Sequence, residues 1–171
     1  TMLKDSPNIG TGTVTLRNDP RILPVGYFLR KTKINELPQL FNVLNGDMSV
    51  IGPRPQTQRC FDAFPVESQK AIITARPGLS GIGSVVFRDE EEIMHAHNNP
   101  THFYDHLIMP YKGELEEWYV ANQDLWTYIM LIILTVWVVL FPRSGVVWKV
   151  FGALPRPNAL LAEVLLPQRD V

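Results

Sequence analysis

A charge-free run from Leu125 to Phe141 constrains this chain more than any other stretch. Its heart, Ile129–Phe141, is apolar on every side, so as a helix it has no polar face to turn toward water. About 17 helical residues span roughly 25 Å, short of the roughly 30 Å hydrocarbon core of a bilayer. The expectation is a helix that lies in, or dips into, a membrane face, ahead of a complete span. A buried core helix is the ordinary alternative. Trp126, Tyr128, Trp137 and Trp148 supply aromatic rings suited to a membrane–water boundary, and Arg143, Lys149 and Arg156 follow.

The rest of the chain reads as one domain. Its 171 residues suffice to bury a core, and 46% hydrophobic with 19% charged residues is near ordinary globular composition. A net charge of −1 offers no basic field for a nucleic-acid partner. The single cysteine, Cys60, excludes an intrachain disulfide and suits a reducing compartment. Thr1 reads as the middle of an element, so a fragment is expected. Residues 1–26 read as loop with one short strand near Val14–Leu16, and 32–45 as a helix with Thr32 as N-cap and Gly46 at its end. Met48–Ile51 is a short apolar run ahead of a stiff Gly52-Pro-Arg-Pro55 turn. A helix over 58–75, a strand or tight buried loop over 80–87, and an acidic helical start over 89–97 follow. Helix then runs from His102 to Asn122, interrupted near Pro110. The fold class is α/β or mostly α with a few short strands, one compact domain with membrane-surface helices.

The chemistry concentrates between Arg30 and Pro55. A helix N-terminus there presents free amide donors and the positive end of a dipole, both favourable to phosphate. Arg54, between two prolines, loses little further entropy on docking an anion, and Arg30 could reach the same place. Glu36, in the first helical turn, could bind a divalent cation bridging a diphosphate. Composition alone favours an ordinary surface helix; the order of residues does not.

The segment Arg30-Lys-Thr-Lys-Ile-Asn35-Glu36-Leu-Pro, continuing to Gly46-Asp47-Met-Ser-Val-Ile-Gly-Pro-Arg54-Pro55, closely resembles the bacterial sugar transferase family. These are the polyprenyl-phosphate hexose-1-phosphate transferases that start surface-glycan assembly. Arg76-Pro-Gly-Leu-Ser-Gly81 is similar to the family's Arg/Lys-Pro-Gly-Ile-Thr-Gly, and Gly113-Glu-Leu-Glu116-Glu-Trp-Tyr119-Val to its Glu-Leu-Asp-x-Tyr-Tyr-Val. Thr1-Met2 looks like the end of Lys-Phe-Arg-Thr-Met. The resemblance covers residues 1–145, a catalytic domain that would lack its upstream membrane-entering helix. Residues 146–171 match nothing recognisable and read as a tail of unknown role.

The resemblance implies transfer of a hexose 1-phosphate from a UDP-sugar to undecaprenyl phosphate with Mg²⁺, releasing UMP, on the cytoplasmic face of a bacterial inner membrane. Membrane lipid is an implied partner, and a homo-oligomer is left open. Glu36 matches the Glu of the family's Asp-Glu pair and would be both catalytic and metal-binding, while Arg30 and Arg54 match its phosphate-holding arginines. Asn35 stands where the nucleophilic Asp is usual, and a neutral amide cannot replace it. Glu36 could take over as nucleophile or base. The chain could instead be an inactive, binding or scaffold variant. Or Asn35 could orient phosphate while Asp47 or Glu116 binds metal. Lys33 replaces a capping Ser, and Tyr128 stands where an Asp is usual. Arg76 is a further candidate through its motif. His95, His97, His102 and His106 could in principle bind zinc, but a solvated helix surface explains them better.

Overall fold

The computed structural model describes residues 2–4, 6, 19–32, 34–95, 97, 99–142 and 144–166, with the side chains of Arg30 and Lys31 outside the description. The strand expected near Val14–Leu16 lies outside the described residues. Helices dominate the described chain, with one two-stranded parallel sheet, as the mostly-α reading expects.

The first helix starts earlier than the sequence suggests. Helix α1 spans Pro24–Lys31, opened by a proline whose fixed φ suits a first helical turn. Thr32 therefore closes α1 instead of opening the next helix: its Oγ1 donates to the Phe28 carbonyl at 2.9 Å. A single 3₁₀ turn, Ile34–Glu36, leads into α2, Leu37–Leu44. Pro38 sits in the first turn of α2, where no intrahelical N–H is required of it. Gly46 then reverses the chain at φ 84°, a conformation that favours glycine.

Strand β1, Ser49–Ile51, pairs in parallel with β2, Gly78–Ser80, placing Ser49 opposite Gly78 and Ile51 opposite Ser80. Between them lie α3, Gln58–Asp62, and α4, Val66–Ile72. The single helix expected over 58–75 is divided because Pro65 stands at the N-cap of α4. The Val-rich stretch expected as strand or loop over 80–87 is the end of β2 followed by a buried short helix, α5, Ile82–Val86. Burial here outweighs the β preference of valine.

Helices α6, Glu90–His95, and α7, Pro100–Phe103, precede a π turn at Tyr104–Ile108 and α8, Met109–Ala121. The expected interruption near Pro110 is this widened turn, which accommodates the missing proline N–H. Helix α9, Leu125–Leu140, is followed by α10, Val146–Val150, and α11, Ala159–Leu165.

The core is centred on α8, with Ile82 of α5 and Leu131 of α9 fully enclosed alongside Leu115. Helix α9 buries Thr127, Leu131, Leu134 and Val138, half-buries Tyr128, Met130 and Ile132 against the core, and turns Leu125, Ile129, Ile133, Val136 and Leu140 outward. No described helix is long and apolar enough to cross a membrane. The segment after α9, whose role the sequence leaves open, packs on the core. Phe151 meets Trp118 and Trp126 edge-on at 5.2 and 5.3 Å, and Trp148 and Leu161 are buried.

Candidate functional site

The site begins with a seam of glycines. After β1 the chain folds back at Gly52, so that the Pro53 carbonyl accepts from the Gly78 N–H at 2.9 Å. A Cβ on Gly52 would overlap the Arg76 carbonyl oxygen, and one on Gly78 or Gly81 would overlap the backbone of Gly52. The two motif segments, Ile51-Gly-Pro-Arg54-Pro and Arg76-Pro-Gly-Leu-Ser-Gly81, therefore meet backbone to backbone, which only glycine allows. Arg54 follows Gly52 in the first segment, and Arg76 opens the second.

Arg54 turns to the 3₁₀ turn before α2. Its Nη2 donates to Glu36 Oε1 at 2.8 Å, with the Arg54 side chain 38% and the Glu36 side chain 19% exposed. The pair joins residues 18 apart in sequence and remains open to solvent. Five guanidinium N–H groups are available and one serves Glu36, leaving donors for an incoming phosphate. Asn35 is exposed in the same turn. Arg30 lies at the end of α1, with its side chain outside the description, and Lys33 lies outside the described residues. Of the residues expected to act together, Glu36, Asn35 and Arg54 are assembled here.

The other candidates are placed elsewhere. Asp47 is exposed on the turn after α2. Glu116 is 5% exposed on α8, beneath the glycine seam. It takes a hydrogen bond from the Gly83 backbone, while its Oε2 is buried without a hydrogen-bond partner. Burial pushes its carboxyl up to about 7, although the Gly83 hydrogen bond and the nearby Lys112 charge pull the other way. Lys112 itself is held by Glu90 at 2.7 Å. Among the described residues no three His, Cys, Asp or Glu side chains converge. His102 and His106 stack at 4.1 Å on an exposed surface.

Arg76 borders a separate open cleft of about 470 Å³. Ser49, Tyr119, Tyr128, Asp124 and Leu125 share its walls. Tyr119 donates to the Ile51 carbonyl at 3.2 Å, and burial pushes its phenol up to about 12, so it remains protonated for that bond. The Ser49 and Tyr128 hydroxyls pair at 3.1 Å across 79 residues of sequence. Sequence reasoning could not anticipate that pairing, because it depends on how α9 docks against β1. In the sequence Tyr128 stands out as a boundary aromatic and as a substitution for an expected Asp, neither of which points to Ser49.

Mg²⁺ can be weighed against these donors. It is typically held by one or two carboxylates plus substrate phosphates and water. Glu36, the carboxylate beside Arg54, fits that minimal protein contribution, with a ligand's diphosphate supplying further oxygens.

Comparison with known proteins agrees with the motifs. The family described as bacterial sugar transferase matches residues 1–142. The chain is 38% identical over 125 residues to an undecaprenyl-phosphate galactose phosphotransferase of Salmonella typhimurium, covering 73% of this chain and 23% of that protein. It is 37% identical over 122 residues to a UDP-N-acetylgalactosamine-undecaprenyl-phosphate N-acetylgalactosaminephosphotransferase of Aeromonas hydrophila, covering 69% and 25%. With a UDP-glucose:undecaprenyl-phosphate glucose-1-phosphate transferase of Caulobacter vibrioides it shares 42% over 84 residues, covering 48% and 30%. The chain thus spans about a quarter of the length of the curated relatives matched over most of it.

Proposed function

The chain belongs to the bacterial sugar transferase family, and on that footing we propose that it transfers a hexose 1-phosphate from a UDP-sugar to undecaprenyl phosphate. The carrying observation is the Glu36–Arg54 pair, an acid and the guanidinium of a proline-flanked arginine joined at 2.8 Å in a solvent-open turn. In the reaction an acceptor phosphate oxygen becomes bonded to the sugar-bearing β-phosphorus. The anhydride bond between the two donor phosphates breaks, and UMP departs.

Arg54 neutralises charge on the diphosphate, and its rigid setting lowers the cost of holding it in place. In this reading Glu36 takes the phosphosugar on its carboxylate or assists direct attack; both routes need its negative charge. Asn35 can donate its amide to a phosphate oxygen but cannot serve as the nucleophile. When bound at Glu36, Mg²⁺ would add further charge neutralisation.

The exposed apolar side chains support a setting at a lipid surface, which this reading places on the cytoplasmic face of a bacterial inner membrane. Phe41 and Leu44 of α2 are 70% and 81% exposed, and α1 and α9 add Phe28, Ile133 and Val136 to the uncovered apolar surface. Such a surface is suited to the lipid boundary where the acceptor resides.

A second reading, a silent binding variant of the same fold, is favoured by one observation, the amide at Asn35. The test uses the full-length protein in membranes with Mg²⁺, undecaprenyl phosphate and a panel of UDP-sugars, and identifies the nucleotide released. UMP together with a lipid-soluble sugar diphosphate is the expected result. Release of UDP would mean that sugar moves without its phosphate, and the proposal would fail.

A further inference from the structure

We propose that the cleft beside Arg76 seats the phosphate of the polyprenyl acceptor, with the isoprenoid chain leaving along the outer stripe of α9. The inference rests on the phosphosugar-transfer reading and assigns the second substrate its own place.

Three observations carry it. The first is charge. Arg76 is exposed at the cleft and forms no salt bridge with any described residue, unlike Arg54 with its Glu36 partner. Asp124, also on the cleft wall, accepts from the Thr127 N–H at 2.6 Å, a bond that holds it below the usual carboxylate range and so keeps it ionised. Arg76 with the hydroxyls must hold a phosphate against that charge. The second is the hydroxyl pair. Ser49 and Tyr128 have two O–H protons between them, and their mutual bond at 3.1 Å uses one. The other can be donated to a phosphate oxygen.

The third is the apolar exit. Leu125, on the cleft wall, is 74% exposed and starts a line of exposed side chains continuing through Ile129, Ile133, Val136 and Leu140. Their spacing of three or four residues keeps them on one side of α9. The line is roughly 22 Å long at the helical rise. A nucleotide would find one cation and then an apolar track, whereas an isoprenoid monophosphate matches both.

The chain segments that carry the two seats also adjoin. Gly52 packs on the Arg76 carbonyl, and Pro53, next to Arg54, bonds Gly78. Donor and acceptor phosphates would thus approach from neighbouring chain segments, as transfer between them requires.

The test compares the full-length protein and its Arg76→Ala and Arg76→Lys variants in nanodiscs. For Arg76→Ala we expect the KM for undecaprenyl phosphate to rise about tenfold or more while that for the UDP-sugar stays within about twofold, with partial recovery in Arg76→Lys. Native mass spectrometry supplies a readout independent of turnover. The parent should retain undecaprenyl phosphate in preference to undecaprenol, UMP or inorganic phosphate, and Arg76→Ala should lose that preference. A rise in the UDP-sugar KM alone, an unchanged KM for both substrates, or retention of undecaprenyl phosphate that Arg76→Ala leaves undiminished would overturn the assignment. If no UDP-sugar supports turnover but Arg76-dependent lipid retention persists, the transfer reading fails and the acceptor seat stands.

Discussion

At the scale of single residues, three acids with similar side chains have been given different tasks by their surroundings. Glu36 is accessible and paired with Arg54, which suits a group that must meet a charged substrate. Asp124 caps α9. Glu116 is enclosed, and its carboxyl is raised by burial from 4.5 to about 7. Because the folded state holds this proton more tightly than the unfolded one, stability falls as pH rises between those values. The penalty is absent below the unfolded value and complete above about 7, on the order of 3 kcal/mol. Glu116→Gln keeps an acceptor for Gly83 and removes the titration. Thermal unfolding should show it more stable than the parent at pH 8 and no more stable at pH 5. An equal gain at both values would mean that packing, not ionisation, governs the site. Glu36, Arg54 and Asn35 could be picked out from residue order in the sequence, but the burial of Glu116 could not, because an acid in a Glu-Leu-Glu-Glu run looks like any solvated helix residue.

At the scale of elements, the glycine seam explains why two motifs separated by more than twenty residues lie against each other. Local patterns indicate turns at Gly52-Pro53 and Pro77-Gly78, yet nothing local shows that they touch. Only the parallel pairing of β1 and β2 brings them together. The same limit applies to α5, where buried valines look like strand, and to the 58–72 region, where Pro65 separates two helices. Helix α9 was legible because a long charge-free run has few alternatives. Gly78→Ala tests the seam directly. Its methyl group would overlap Gly52, so we expect about 1–3 kcal/mol or more of destabilisation and loss of transfer, measured by denaturant unfolding and activity on one preparation. An unchanged midpoint would show that the two backbones can separate without consequence.

At the scale of the molecule, α8 anchors a core that leaves α1, α2 and one side of α9 uncovered, while Phe151, just after α10, packs on Trp118 of α8 and Trp126 of α9. The uncovered surface is apolar, the Glu36–Arg54 pair is open to water, and the Arg76 cleft leads onto α9. A water-borne diphosphate and a membrane-borne phosphate can therefore reach adjoining parts of one structure. The central claim is that this arrangement transfers a phosphosugar through the charge on Glu36 despite the amide at Asn35. The most direct measurement is sugar-phosphate incorporation into undecaprenyl phosphate by the parent and by Glu36→Gln and Asn35→Asp, in the same vesicles. The account predicts turnover in the parent and a loss of about a hundredfold or more in Glu36→Gln. A silent parent restored by Asn35→Asp would contradict it, identifying the chain as a binding form that retains the fold without the reaction.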